Sequence, residues 1–143
     1  MLKNVLRIRI EWGDCDPAGI VFYPRYFEWF DRCTHHLFEA ATGMIKKTML
    51  EHYGGAGLAL LEARSEFKVA SHYGEDIDIE SEVVEFRRSS FFVEHRVTKK
   101  GVPMLKGFET RLWTVRDPET GRMKSGTMPA EIIAAFQKDT PPL

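Results

Sequence analysis

Cysteine is scarce in this sequence, with Cys15 and Cys33 as the two examples and no Cys-x-x-Cys pair between them. Two cysteines do not make a disulfide framework in a chain of 143 residues. Long apolar runs are missing too, since no stretch approaches the roughly 18 apolar residues of a membrane span. Residues 1–10 alternate charged with apolar side chains and lack the apolar centre of a signal peptide. We therefore expect a soluble cytoplasmic protein with reduced thiols and no membrane partner.

Net charge is almost absent as well. The formal charge is −1, so no overall field favours nucleic acid or an anionic membrane, and any anion must be recognised locally. His35 and His36 are adjacent and would point about 100° apart on a helix, so they cannot both face one metal ion. We expect neither a metal nor a cofactor. A hydrophobic content of 43% is typical of a globular chain, and the length predicts one domain over residues 1–143.

The first third of the chain changes its hydrophobic period at a short loop. A period of two predicts a strand with one buried face, formed by Leu6, Ile8, Ile10 and Trp12. Turn-forming residues follow at 13–19. A period of three and four then predicts a helix that begins near Pro24 and ends near Gly43. Its apolar face comprises Phe27, Phe30, Thr34, Leu37, Phe38 and Ala41.

The remainder, after an ambiguous region at 44–57, is mostly strand-like as far as Val115. Strands are predicted at 58–61, 77–83, 91–97 and 104–115, and residues 66–70 continue the first of them after a bulge. Pro129 opens a short final helix. One helix followed by about four antiparallel strands predicts an α+β fold with the helix on one sheet face. One helix leaves sheet edges uncovered, so we expect an oligomer.

The loop between the first strand and the helix carries two carboxylates, Asp14 and Asp16. Backbone N–H groups near Phe22 and Tyr23 would lie at the helix start, without intrahelical partners. Such groups attract an anion or a polarised carbonyl oxygen, and a nearby carboxylate could then serve acyl transfer as nucleophile or general base. Asp, Pro and Gly are also ordinary turn residues, and Asp is an ordinary helix cap. The residues alone leave both interpretations open.

The segment Gly-Asp-Cys-Asp-Pro-Ala-Gly-Ile-Val-Phe-Tyr-Pro-Arg-Tyr-Phe-Glu-Trp-Phe-Asp, residues 13–31, closely resembles the signature of the 4-hydroxybenzoyl-CoA thioesterase family. The likeness continues at Glu-Phe-Arg-Arg-Ser-Ser-Phe, residues 85–91, and in the order of the strands. The first motif is long, ungapped and specific. The resemblance implies a hotdog fold, in which an antiparallel sheet of about five strands wraps a long helix. It also implies dimers, commonly tetramers, with sites at the dimer interface.

The resemblance further implies an acyl-CoA substrate and a set of site residues. The aspartate of the Asp-Pro-Ala-Gly motif, here Asp16, is the catalytic carboxylate in that family, and the backbone N–H that binds the thioester oxygen falls on Tyr23. The aspartate near the acyl ring falls on Asp31. The residues near the coenzyme A phosphates fall on Arg87, Arg88 and Ser90, and guanidinium groups suit phosphate oxygens.

Several alternatives remain at the level of sequence. Pro24 stands where another branch of the superfamily has histidine, which disfavours an imidazole mechanism. Residues 58–61 are more apolar than in the 4-hydroxybenzoyl enzyme, so the acyl group is open: benzoyl, hydroxybenzoyl or short aliphatic. A non-catalytic acyl-CoA binding module is a further alternative. Arg87 and Arg88 also fit a solvated pair that balances an acidic strand. We expect Cys15 to have a packing role and not to act as a nucleophile, since no histidine is near it in sequence.

Overall fold

The computed structural model describes residues 1–138, so the last five residues of the predicted domain lie outside the described part. Six strands and three helices follow one another, with a short 3-10 turn at Trp12–Asp14. In chain order they are β1 (Lys3–Arg9), α1 (Pro24–Thr42), α2 (Lys46–Tyr53), β2 (Gly57–Glu66), β3 (Asp76–Phe86), β4 (Ser90–Lys99), β5 (Val102–Arg116), β6 (Met123–Ser125) and α3 (Ala130–Phe136). Among these residues, no helix combines the length and hydrophobicity needed to cross a bilayer.

The strands form one antiparallel sheet in the order β1-β3-β4-β5-β2, with β6 paired to β5. This confirms the α+β class, although the sheet has six strands. Two details of the prediction are wrong. Strand β1 ends at Arg9, so Ile10 and Trp12 lie outside it; Glu11 and Asp14 form a capping box that turns the chain into the 3-10 segment. Strand β2 does continue past a bulge, which lies between Leu60 and Glu62, but it ends at Glu66, so residues 67–70 lie outside it.

Helix α1 has the caps that its sequence predicts. Pro24 occupies the first turn, where its missing N–H costs no hydrogen bond, and Gly43 ends the helix with a φ of 73°. One face is buried against the sheet and includes three residues that the periodicity did not single out, namely Tyr26, Trp29 and Cys33. The helix therefore packs with a wider apolar face than the sequence indicated.

The core consists of two hydrophobic clusters. One surrounds Phe38 and Trp113, and the other surrounds Phe30 on α1 and Ile79 on β3. The Phe30 ring packs so closely on β5 that a Cβ at Gly107 would collide with it. Glycine at this position therefore sets the distance between α1 and the sheet.

Candidate active site

The loop before α1 is a tight hairpin. Cys15 pairs with Val21, the Asp16 N–H donates to the carbonyl of Ile20 at 2.9 Å, and Gly19 makes the turn with a φ of 80°. Its second arm is anchored to the segment before β3, because the Val21 N–H donates to the Ser71 carbonyl at 3.0 Å. The loop is thus held on both sides by backbone hydrogen bonds.

Asp16 has one occupied and one open carboxylate oxygen. Its Oδ1 accepts the Ala18 N–H at 2.8 Å, which is the ordinary turn bond of an aspartate. Within residues 1–138 no group donates to the other oxygen, and the side chain is half-buried. Asp14, two residues earlier, is used structurally, since its Oδ2 caps the Glu11 N–H at 2.9 Å. The turn and a reactive carboxylate are therefore compatible at Asp16.

One amide is free at the start of α1. The N–H groups of Arg25 and Tyr26 donate to the carbonyls of Phe22 and Tyr23, while Pro24 has no N–H to offer. The expectation of a free N–H at Phe22 is wrong, because this group donates to the Asp14 carbonyl at 2.8 Å. The Tyr23 N–H has no acceptor within residues 1–138. It remains available to an external oxygen, with the helix dipole behind it.

A cavity of about 270 Å³ lies beside this helix start. Its wall includes Tyr23, Tyr26, Phe67 and Ser71, whereas Asp16 is not among its lining residues. Burial raises the pKa of the Tyr26 phenol, and the neighbouring Ser71 opposes this rise. The sequence pattern had singled out neither Tyr26 nor Ser71, since an aromatic residue on a helix and a serine in a loop carry no motif.

Asp31 is one end of a chain of charged and polar groups that runs into the core. It accepts Arg111 Nη2 at 2.7 Å, and the same nitrogen donates to Glu109 Oε2 at 2.8 Å. Glu109 Oε1 lies 3.1 Å from His95 Nε2, and His95 Nδ1 lies 2.6 Å from Ser81 Oγ. All of these residues except Asp31 are buried. The sequence motif singled out Asp31 but gave no sign of the Arg111 guanidinium that holds it.

Glu109 is ionised within this network. Burial alone would raise the pKa of the Glu109 carboxyl, but the hydrogen bonds from His95 and Arg111 and the charge of Arg111 lower it to about 2. Burial also raises the pKa of the Cys15 thiol, with Asp14 and Asp16 adding to the effect, which disfavours a Cys15 thiolate.

Arg87, Arg88 and Ser90 lie at the turn between β3 and β4, away from the Asp16 loop. Arg87 is exposed, sits 3.4 Å from a Glu85 oxygen and stacks over Phe92. The Asp16 loop borders the other end of β3, where Arg9 pairs with Asp76. Eleven residues of β3 span roughly 30 Å at about 3.3 Å per residue. A single chain therefore does not bring the arginine pair to Asp16.

The family of the chain follows from its similarity to known proteins. The sequence profile of the thioesterase-like superfamily matches residues 10–136. The chain belongs to this superfamily. It is 30% identical to the 4-hydroxybenzoyl-CoA thioesterase of Pseudomonas sp. strain CBS-3, over 87% of this chain and 91% of that one. It is 27% identical to the acyl-CoA thioesterase YbgC of Haemophilus influenzae, over 90% of each.

Solved structures support the same assignment. The Pseudomonas enzyme superposes with a TM-score of 0.84 at 29% identity, over 94% of this chain and 99% of that one. A gentisyl-coenzyme A thioesterase superposes with a TM-score of 0.78 at 28% identity, over 94% and 100%. The hotdog fold predicted from residues 13–31 is confirmed, and the chain is a thioester hydrolase.

Proposed function

We propose that this thioesterase hydrolyses an aromatic acyl-CoA to the free acid and coenzyme A, with Asp16 as its catalytic carboxylate. The observation that supports this most directly is the free Tyr23 N–H at the start of α1, set at the other end of the hairpin that holds Asp16. A thioester carbonyl placed there would have an oxyanion donor on one side. The carboxylate of Asp16 would stand on the other.

The reaction follows from these two groups. The open oxygen of Asp16 either attacks the thioester carbon or removes a proton from a water molecule that attacks it. Negative charge then develops on the carbonyl oxygen, and the Tyr23 N–H stabilises it. Collapse of the tetrahedral species breaks the carbon–sulfur bond and releases the coenzyme A thiolate. In the covalent route, one water molecule then hydrolyses the mixed anhydride, which releases the acid and regenerates the Asp16 carboxylate.

The rest of the site comes, in this proposal, from a second copy of the chain. β2 is an edge strand that presents Leu60 and Leu61 to solvent, each more than half exposed. If two β2 strands pair antiparallel about a twofold axis, the Gly57 end of one lies beside the Glu66 end of the other.

That pairing joins the two distant parts of the site. The Gly57 end of β2 lies near the β3–β4 turn, because β5 links them: Gly57 is opposite Thr114, and the Trp113 N–H donates to the Ser89 carbonyl. The Glu66 end leads to Phe67, whose ring is 6.0 Å from that of Tyr23. Each Asp16 loop would thus face the arginine turn of the partner. This supports a homodimer, or a tetramer of such dimers, with arginines and Ser90 at the coenzyme A phosphates.

The aromatic acyl group is supported by the named relatives and by the aromatic wall of the cavity beside Tyr23. Asp31 is proposed as an acyl-binding residue of this interface. A thiol-release assay with benzoyl, hydroxybenzoyl, phenylacetyl and short aliphatic CoA esters tests the acyl preference. We expect the aromatic esters to have the higher kcat/KM. Faster release from aliphatic esters would assign the chain to that substrate class instead.

Asp16→Asn tests the mechanism. Asparagine keeps an oxygen for the Ala18 N–H, so the turn should persist while the carboxylate is lost. We expect kcat to fall by about 10² to 10⁴-fold. Asp14→Asn, a carboxylate lost from the same loop, is the matched control and should retain most activity. Wild-type turnover in Asp16→Asn would contradict the mechanism, and tight binding without any wild-type hydrolysis would indicate a binding module.

Isotope labelling separates the two roles of Asp16. Oxygen-18 from labelled water that enters the Asp16 side chain in a single turnover identifies it as the nucleophile. Label that is confined to the released acid favours the general base.

A further inference from the structure

Two buried hydroxyl groups beside the proposed site lack hydrogen bonds. Tyr26 is 3% exposed and Ser71 is fully buried, yet neither the phenol nor the serine hydroxyl has a partner within residues 1–138. Ser71 is close enough to oppose the rise in the Tyr26 pKa, but the two hydroxyls do not meet the geometry of a hydrogen bond. An unpaired buried hydroxyl destabilises the folded state, because its hydrogen bonds to water are lost and not replaced. Such groups in a folded protein call for a missing partner.

Both residues line the cavity of about 270 Å³ beside Tyr23, together with Val21, Phe67 and Leu105. An apolar cavity of about 150 Å³ is known to hold benzene, so this one has room for a single substituted ring. The Phe67 ring stands 5.9 Å from that of Tyr26, which gives the cavity an aromatic wall.

Helix α1 and a backbone hydrogen bond connect the residues of this cavity to the loop that holds Asp16. Tyr26 follows Tyr23 by three residues, so both stand on the same side of α1 within its first turn. Ser71 is fixed to the loop by its carbonyl, which accepts the Val21 N–H at 3.0 Å. The two hydroxyls therefore hold a fixed relation to the free Tyr23 N–H at the cavity rim.

We infer that Tyr26 and Ser71 form the polar end of the acyl pocket and bind a hydroxyl substituent on the aromatic ring of the substrate. This deepens the proposed function and rests on it. Each hydroxyl can donate or accept, so the pair can take both the proton and a lone pair of a phenol. An unsubstituted ring would leave both groups unpaired, which gives selectivity for hydroxylated aromatic acyl thioesters over the benzoyl ester.

The test compares matched ligands that differ by the hydroxyl alone. For catalysis these are hydroxybenzoyl-CoA and benzoyl-CoA. For binding they are S-phenacyl coenzyme A and its hydroxylated derivatives, ketones whose methylene group separates the carbonyl from sulfur and blocks hydrolysis. The variants are Ser71→Ala and Tyr26→Phe, each of which removes one unpaired hydroxyl and should not lower folding stability. Thr42→Ala, which removes a hydroxyl bonded to the Phe38 carbonyl at the far end of α1, is the control.

We expect the wild type and the control to prefer the hydroxylated member of each pair. Ser71→Ala and Tyr26→Phe should each reduce this preference by about tenfold or less, and together remove it, with little change for the unsubstituted ligand. Equal binding of the two ketones by the wild type would mean that water satisfies the hydroxyls, and would overturn the inference. The inference would also be overturned if Ser71→Ala and Tyr26→Phe both kept the preference for the hydroxylated ligand while Asp31→Asn lost it.

The two proposals fail separately. If the wild type discriminates between the two ketones but releases no thiol from the acyl-CoA esters, the proposed function fails and the pocket stands. If thiol is released and both variants keep the wild-type preference, the pocket fails and the proposed function stands.

Discussion

Replacing Glu109 with glutamine tests the buried network beneath α1. The substitution keeps the volume and one hydrogen-bond acceptor but removes the charge that Arg111 and His95 face. Glu109 is 4% exposed and Arg111 is 3% exposed, so water cannot solvate the Arg111 charge in place of the lost carboxylate. Removal of one partner from a buried ion pair is strongly destabilising, at about 3–5 kcal/mol.

The pKa of Glu109 gives a second route to the magnitude. Its value of about 2, against 4.5 for an unperturbed glutamate, corresponds to about 3 kcal/mol of stabilisation of the ionised form at neutral pH. We therefore expect Glu109→Gln to lower the free energy of unfolding by about 3 kcal/mol. Arg111 retains Asp31 as a partner, but that carboxylate is half exposed, so it compensates only in part.

Urea unfolding at pH 7, followed by tryptophan fluorescence at one fixed protein concentration, measures this loss. Asp78→Asn is the matched control, because Asp78 pairs with Arg7 at 2.9 Å on the exposed face of the sheet and should contribute little. In the double variant Glu109→Gln/Arg111→Met, the unpaired cation is gone, so the loss should be smaller than the sum of the single losses. A loss below about 1 kcal/mol for Glu109→Gln would refute the reasoning.

Three further predictions concern other parts of the molecule. First, stability should depend on Glu109 in acid, because the pKa of this carboxyl is depressed in the folded state. Its contribution to the free energy of unfolding is complete above about pH 5 and disappears as pH falls from 4.5 towards 2. Unfolding measured across this range should show a steeper decline in stability for the wild type than for Glu109→Gln, and parallel curves would contradict the prediction. Second, Tyr23→Pro removes the free N–H, and proline tolerates the φ of −52° at this position. The kcat of Tyr23→Pro should be about 10²-fold below that of Tyr23→Ala, which keeps the N–H. Equal kcat values would exclude the oxyanion role of this N–H. Third, Gly107→Ala should destabilise the fold by about 1–3 kcal/mol, because the methyl group meets the Phe30 ring, and Gly107→Ala/Phe30→Leu should recover part of the loss in a thermal melt.

The sequence predicted those parts of the fold that depend on local periodicity and caps. Helix α1 begins at Pro24 and ends before Gly43, as expected, because these two residues act through their own backbone preferences. The turn between β4 and β5 is also a local feature, since Lys100 and Gly101 both have positive φ. Trp12 was misplaced because a capping box between Glu11 and Asp14 overrode an alternation that was itself correct.

The polar network was missed because it depends on contacts between residues far apart in sequence. Glu109 and Arg111 are consecutive inward positions of β5, and His95 and Ser81 face each other across β4 and β3. A signal did exist: His95 interrupts the inward run of Phe91, Val93 and Val97. A polar residue at a strand position that points into the core predicts a buried hydrogen-bond partner, but only the register of the sheet identifies that partner.

The candidate site was predictable only in part for a related reason. Asp16 lies in a local hairpin and Tyr23 follows it at the start of α1, so a single motif contains both candidate residues. The arginine turn is separated from that hairpin by the length of β3, roughly 30 Å at about 3.3 Å per residue, so the two lie far apart within one chain of this fold. If these residues serve one substrate, the second copy is part of the active site. Dilution below the dissociation constant of the dimer should then abolish turnover while each subunit keeps its Asp16 loop. A monomer with full specific activity on acyl-CoA, at concentrations where sedimentation shows no dimer, would remove the arginines from the site.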